Sequence, residues 1–249
     1  HHPPTPGCPR GCGVGMSALP AGQKEEELED EYVHKVYDVI APHFSHTRHS
    51  PWPKVAAYLN DLEHGSLVAD VGCGNGKYMA VRDGLFVSGS DRSPELLKLC
   101  GESGLEVFVA DNMKLPYRSA SFDAVLSIAV IHHMSSPERR VEAIRELLRI
   151  ARVGGTVLIY VWAMEQKGRR AGFTEQDQLI PWHLSMRFRA EPLLHGEVDE
   201  EKKSVVYKRY YHLFVEGELQ QLVQGIAGCE VVDSYYDHEN WVVVLKRTT

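Results

Sequence analysis

The chain has 249 residues, 43% of them hydrophobic and 24% charged, with a formal net charge of −7. That length suits one medium α/β domain with residues to spare for a tail or an insertion, and the acidic balance argues against a broad, self-sufficient nucleic-acid face, which is usually basic. No apolar run approaches the ~20 residues that cross a bilayer, and the first residues lack the apolar core of a secretory signal, so neither a membrane span nor a leader is expected.

Residues 1–23 are rich in Gly and Pro and read as a flexible tail or linker. Cys8 and Cys12 form half of a zinc-like pair, but a closed structural site needs four ligands. Three origins stay open for this segment: a native tail, a tag, or the end of an upstream metal-binding module. From Gln23, acidic residues crowd the start of a segment in which Val33, Val36, Tyr37 and Ile40 recur at helical spacing. Pro42 is expected to close that helix. A polar turn, "HTRHSPW", leads to a second helix with Pro53 in its first turn.

From Leu67 the rhythm becomes strand and helix. The expected strands are 67–71, 85–90, 105–109, 124–128 and 156–161, and "SPERRVEAIRELLRIA" is the clearest helix between them. Gly154-Gly155 is read as the break after it. Such alternation predicts a mostly parallel sheet with helices on both faces. Residues 163–206 look like an irregular, polar insertion. "RYYHLFVEGELQQLVQGIA" reads as a short segment plus a helix, and two closing strands flank the turn "DHEN". Cys73, Cys100 and Cys229 lie in apolar segments and read as free thiols of a reducing compartment, and the expected location is the cytoplasm, with the nucleus in addition.

The chemistry concentrates where "LVADVGCGNGKY" ends the first strand. In an open α/β sheet ligands sit beyond the C-terminal strand ends, and Gly72, Gly74 and Gly76 let a ligand approach bare backbone there. The spacing is one residue shorter than the dinucleotide fingerprint. The next strand ends in Asp91, placed to accept from ribose hydroxyls, and the third ends in Asp111-Asn112, suited to an adenine amino group. A single strand-end acid can be a helix N-cap. Two in succession behind a glycine loop point to an adenosine cofactor.

These residues resemble class I S-adenosylmethionine-dependent methyltransferases: "DVGCGNG" is similar to their first motif, "ADNMKLPY" to their adenine loop, "FDAVLSIAVIHH" and "GGTVLIYVW" to their fourth and fifth strands. The resemblance implies a Rossmann-like seven-stranded sheet with an antiparallel last strand, S-adenosylmethionine as cofactor and S-adenosylhomocysteine as product. Asp70, Cys73, Asn75, Tyr78, Arg92 and Ile128 complete the implied cofactor set. The flanks are more specific. "EYVHKVYDVIAPHFSHTRHSPWP", "IYVWAMEQ", "QDQLIPWHL" and "KRYYHLFVEGEL" together resemble the tRNA wobble-uridine carboxymethyl methyltransferases across residues 29–247. That family includes stand-alone fungal enzymes and the methyltransferase half of animal proteins fused to a dioxygenase. It implies methyl transfer to the carboxylate of 5-carboxymethyluridine at position 34, in the tRNA anticodon loop. It also implies a small zinc-binding activator subunit, expected near "LEVFVAD", and no DNA partner.

A carboxylate is already ionised at neutral pH, so no general base or metal is required. Holding it calls for the planar fork of an arginine. Arg48, in the turn between the two N-terminal helices, is the first candidate, with a solvated surface arginine as the bland alternative. His132 and His133 follow the fourth strand on the acceptor side, His133 slightly favoured. Trp182, Tyr210 and Tyr211 are candidates to wall the pocket and stack on a flipped uracil, or else core residues. Trp52 reads as a packing anchor. The basic groups Arg139-Arg140, Lys167 with Arg169-Arg170, Lys202-Lys203 and Lys208-Arg209 are candidate phosphate contacts or solvated faces. Two other readings compete: a small-molecule methyltransferase, and a non-catalytic protein that retains the cofactor fold.

Overall fold

The computed structural model describes residues 19–20, 22–48, 50–167, 172–188 and 196–249; Cys8, Cys12 and the pair Arg169-Arg170 lie outside the described residues. Helix α1 (Glu25–Glu29) passes through a π-helical turn, Asp30–His34, into α2 (Lys35–Thr47). Pro42 therefore does not end the helix as its sequence suggests. It removes one intrahelical donor, yet burial of Val36, Ile40 and Ala41 holds the helix on course, and Thr47 Oγ1 donates to the carbonyls of His43 and Phe44 near its end. Helix α3 (Pro53–Asp61) follows, with proline at its start.

The main elements come next: β1 (Leu67–Val71), β2 (Phe86–Asp91), α4 (Pro94–Glu102), β3 (Val107–Val109), β4 (Phe122–Ile128), α5 (Pro137–Ile150) and β5 (Ala151–Trp162). Ser93 and Ser136, each before a proline, cap α4 and α5 by accepting from Leu96 N and Arg139 N. After β6 (Asp177–Ser185), β7 (Glu197–Asp199) and β8 (Ser204–His212) come α6 (Glu218–Gln224), β9 (Cys229–Asp237) and β10 (Asn240–Arg247). Seven strands form one sheet in the order β3-β2-β1-β4-β5-β10-β9, in which only β10 runs against its neighbours. This is the class I methyltransferase arrangement expected from the sequence. Strand order reverses at β1, so a cleft opens between the tips of β1 and β4, the usual ligand position in such sheets.

Both faces of the central strands are covered, as parallel strands require. Val125, Val157 and Ile159 pack against α5 and α6, while Leu126, Leu158 and Tyr160 pack against α3. Gly154 and Gly155 do not separate helix from strand. They lie inside β5, where its pairing with β4 slips in register. A Cβ on Gly155 would sit 2.9–3.0 Å from three carbonyl oxygens.

The insertion is also more ordered than its composition suggests. Strands β6, β8 and β7 make a separate antiparallel sheet in that order, and the expected short segment "RYYH" is the end of a nine-residue strand. Pro181 obscures β6 in the sequence, but β6 is an edge strand, where a missing N–H is tolerated. This sheet is tied to α6 through His212, whose Nδ1 and Nε2 lie 3.0 Å from Asp177 and 2.7 Å from Glu218. Burial alone would lower the His212 pKa; the two carboxylate hydrogen bonds outweigh it and raise it. A raised folded pKa means that the protonated contact is complete below the ordinary histidine value of ~6.5 and is lost as pH climbs through the folded value. The stability gap between wild type and His212→Gln, read from urea midpoints, is therefore expected to narrow as pH rises above about 6.5. A gap independent of pH contradicts the ion-paired imidazolium.

Candidate functional site

A cavity of about 1710 Å³ lies over the tips of β1 to β5 and is roofed by α2. It is too large for one small ligand, since typical pockets hold ~300–1,000 Å³. Its two ends differ in chemistry.

At the β1–β3 end, Gly72, Gly74 and Gly76 all have positive φ, which glycine adopts without strain. A Cβ at Gly72 would meet Val130 at 2.2 Å. Asp91 accepts from Gly74 N and Ser93 N, both at 2.9 Å, so the strand-tip acid also fixes the glycine loop. Burial raises its pKa, and those backbone hydrogen bonds oppose the rise. Asp111 accepts from Met113 N and lies 3.4 Å from Arg92. Asn112 is buried, and neither its amide nitrogen nor its amide oxygen has a partner among the described residues. Ser90 Oγ is buried as well, without a hydrogen-bond partner among the described residues. A donor and an acceptor left open side by side, behind a ribose-type acid and a bare-backbone loop, fit adenosine. Ile128, Tyr78 and Cys73 complete the wall.

Two residues of the expected cofactor set stand back from it. Gly76 faces Leu105 and Cys100, and its glycine is required by packing. Asp70 is buried below the loop, its carboxyl raised to about 7 by burial and by Asp91, against Lys77. Asn75 faces the cavity, and its amide donates to Ser45 Oγ and Arg48 O, holding the loop to the end of α2.

The β4–β5 end is aromatic and cationic. Arg48, His132, His133 and Trp182 all line it. Tyr210 does not, and that expectation is corrected: alternation along β8 turns it to the opposite face, where its hydroxyl bonds Asp177. The residues on either side, Arg209 and Tyr211, share the cavity face instead. Arg209 is only 3% exposed, so it is not the surface phosphate contact its position beside Lys208 suggests. Its guanidinium lies 4.7 Å over the Trp182 ring and donates to Tyr211 Oη at 2.6 Å. Arg48 lies 5.3 Å from the same Trp182 ring and 4.9 Å from Phe44. Arg139 and Arg140 are structural too: Arg139 forks onto buried Glu29, and Arg140 donates to Met134 O.

Hydrogen bonding assigns the histidine tautomers. His133 Nδ1–H donates to the Tyr210 carbonyl at 2.8 Å, so Nε2 accepts from Tyr37 O–H at 3.0 Å. His132 Nδ1 accepts from Trp162 N at 3.0 Å, which places its proton on Nε2. Burial holds His133 down to about 3, opposed by its backbone bond, and burial with His133 and Arg209 keeps His132 far below its ordinary value. Both rings are neutral at physiological pH and neither is poised as a base. Trp162 stacks on Tyr211 at 4.4 Å, and Trp52, between Tyr160 and Lys77, both packs and lines the cavity. Sequence reading missed Tyr37, Trp162 and the role of Arg209. The available signal was the two-residue period of "KRYYH", which puts Arg209 and Tyr211 on one face.

Comparison with known proteins agrees with this division. A methyltransferase domain model matches residues 69–159. The Schizosaccharomyces pombe tRNA (carboxymethyluridine(34)-5-O)-methyltransferase is 44% identical over 90% of this chain and 99% of its own. The Xenopus tropicalis tRNA (carboxymethyluridine(34)-5-O)-methyltransferase alkbh8 is 42% identical over 88% of this chain, which spans only 41% of that protein. A Haloferax volcanii methyltransferase in complex with the Trm112 methyltransferase activator shares the fold, with a TM-score of 0.57 and 18% identity over 86% of this chain and 98% of its own. S-adenosylmethionine is the cofactor, with Asn112, Asp111 and Asp91 available to its adenosine. Asn112→Ala is expected to weaken S-adenosylhomocysteine binding about tenfold by calorimetry, the worth of one or two net hydrogen bonds; unchanged affinity would place the adenine elsewhere. A matching relative of nearly equal length, the seven-stranded sheet and the adenosine-shaped cleft together make this chain a member of the tRNA (carboxymethyluridine(34)-5-O)-methyltransferase family.

Proposed function

We propose that the chain methylates the carboxylate of 5-carboxymethyluridine at tRNA position 34. The observation that carries this reading is the convergence of Arg48 and Arg209 on Trp182, beside the adenosine end of the same cavity. Two guanidiniums offer planar forks of donors to one carboxylate. Trp182 Nε1–H is buried without a partner among the described residues and can donate to a uracil carbonyl. The stacked pair Trp162 and Tyr211 supplies an aromatic wall of the kind that receives an unstacked base.

Bound at the β1–β3 end, S-adenosylmethionine supplies an electrophilic sulfonium methyl. The residues of this chain do the rest by placement. An ionised carboxylate needs no proton removed, which agrees with two neutral histidines that have no basic task. His132 Nε2–H is oriented as a donor by the Trp162 backbone. The network Arg209, Tyr211, Tyr37 and His133 fixes the Arg209 fork before substrate arrives. One carboxylate oxygen is held for in-line attack while the other is occupied, and orientation of this kind can supply roughly 7–11 kcal/mol in good cases.

The acidic surface suits help with RNA. A small activator subunit, zinc-binding by the resemblance, fits the β3 edge, where Val109 is 56% exposed. The buried free thiols Cys73 and Cys100 agree with a cytoplasmic setting.

The test is nucleoside mass spectrometry after incubating the protein and S-adenosylmethionine, with and without activator, on tRNA bearing carboxymethyluridine. Conversion to the methyl ester is expected; methylation only of small molecules or lipid extract, or none at all with activator present, refutes the reading. Arg48→Ala and Arg209→Ala are each expected to cost about 30-fold or more in kcat/KM, as loss of one fork on a buried charge costs ~2–5 kcal/mol. Affinity for S-adenosylhomocysteine should stay nearly intact in both. Wild-type turnover in either variant removes that arginine from the site.

A further inference from the structure

Besides Arg48 and Arg209, the cavity is lined by Lys54, Arg92, Lys167 and Lys77. Lys54 and Arg92 face Asp237 and Asp111, whereas Lys77 is a cation that neither these pairs nor the acceptor chemistry uses. Lys77 follows Gly76 in the glycine loop and lines the cavity wall. Among the described residues its ammonium meets rings: it lies 4.9 Å over Trp52 and 4.7 Å over Tyr78. Burial and the nearby Arg48 lower its pKa to about 8, while Asp70 below the loop partly offsets them. A partly buried ammonium held on aromatic faces, beside a second cation, is short of negative charge.

The sheet order says which charge belongs there. Adenine-type groups sit at the tip of β3 (Asp111, Asn112), and the ribose-type acid sits at the tip of β2 (Asp91). The next strand inward is β1, whose tip leads into the glycine loop and Lys77. An adenosine laid across β3 and β2 therefore sends its 5′ substituent over β1. In S-adenosylmethionine that substituent carries an amino acid head.

We propose that Lys77 anchors the methionine carboxylate of the cofactor. The aromatic walls Trp52 and Tyr78 exclude water from the pair, which strengthens it. The assignment rests on the cofactor reading but not on the tRNA reading. It also separates two anions that must meet in one cavity: the cofactor's carboxylate goes to Lys77, and the substrate's goes to Arg209 and Arg48. Without a dedicated cation for each, the cofactor's own carboxylate would compete for the fork meant for the substrate.

The experiment is calorimetry on the whole chain without RNA, using two adenosine thioethers. One is S-adenosylhomocysteine. The other is its decarboxylated analogue, S-adenosyl-3-thiopropylamine, which keeps the adenosine, sulfur and amine. Lys77→Met is expected to weaken S-adenosylhomocysteine by about 10- to 100-fold, the range of a charge-assisted pair, and to leave the decarboxylated analogue within about twofold. Lys77→Arg should restore most of the lost affinity. Equal loss for both ligands makes Lys77 a merely structural residue, and no loss for either makes it a bystander; each result overturns the assignment. Lys77→Gln, checked by thermal unfolding, takes the place of the methionine variant if that one does not fold. A wild-type chain that binds neither thioether overturns the cofactor reading and this assignment together, whatever the RNA result.

Discussion

The acceptor end of the cavity depends on one directional run of hydrogen bonds. Arg209 donates to Tyr211, Tyr211 lies 3.3 Å from Tyr37, Tyr37 donates to His133, and His133 donates to the Tyr210 carbonyl. The run begins and ends on β8 but passes through α2 and the turn after β4. Three segments far apart in the chain are thereby fixed in one geometry. The two tyrosine hydroxyls and both ring nitrogens of His133 each find a partner in it, and leaving them open would be costly in so dry a place. The same bonds dictate protonation. His133 must carry its proton on Nδ1 to meet the Tyr210 carbonyl, and its low pKa leaves Nε2 unprotonated at any ordinary pH. A charged His133 would face Arg209, so neutrality of the ring and positive charge on the fork support each other.

The N-terminal helix is held down from several directions. Glu29 accepts from Ser135 and Arg139, Asp38 accepts from Ser93 at the cap of α4, and Ser45 with Arg48 accepts from Asn75 of the glycine loop. The Glu29 contacts join the roof to the start of α5, and the other two join it to elements that border the cofactor end. Arg48 is thus positioned by the loop that receives the cofactor, and its side chain reaches the other end of the cavity. The two ends are separate in chemistry and joined in construction.

Much of the cofactor end was legible in the sequence because its signals are local. A run of apolar residues, then glycines, then acids at successive strand tips, is a pattern that neighbouring residues enforce on one another. The acceptor end was legible only in part. Arg48 and the histidine pair sit beside recognisable landmarks. Arg209 and Tyr37 meet across 172 residues, and nothing in the sequence between them records the meeting. The period of two in β8 separates Arg209 and Tyr211 from Tyr210, but which face looks into the cavity is decided by how the added sheet docks. Pro42 shows the opposite failure. A local rule predicted a stop, and burial of the helix overrode it.

Arg209, Tyr211 and Trp182 all come from the added sheet, outside residues 69–159, the span shared with methyltransferases at large. The molecule is thus divided into a common cassette and a private attachment. Drift within the attachment changes what is methylated without touching how the methyl donor is held. A descendant of this chain could forfeit its acceptor while remaining an intact cofactor binder, and the place to read such a change is one pair of adjoining strands, β6 and β8.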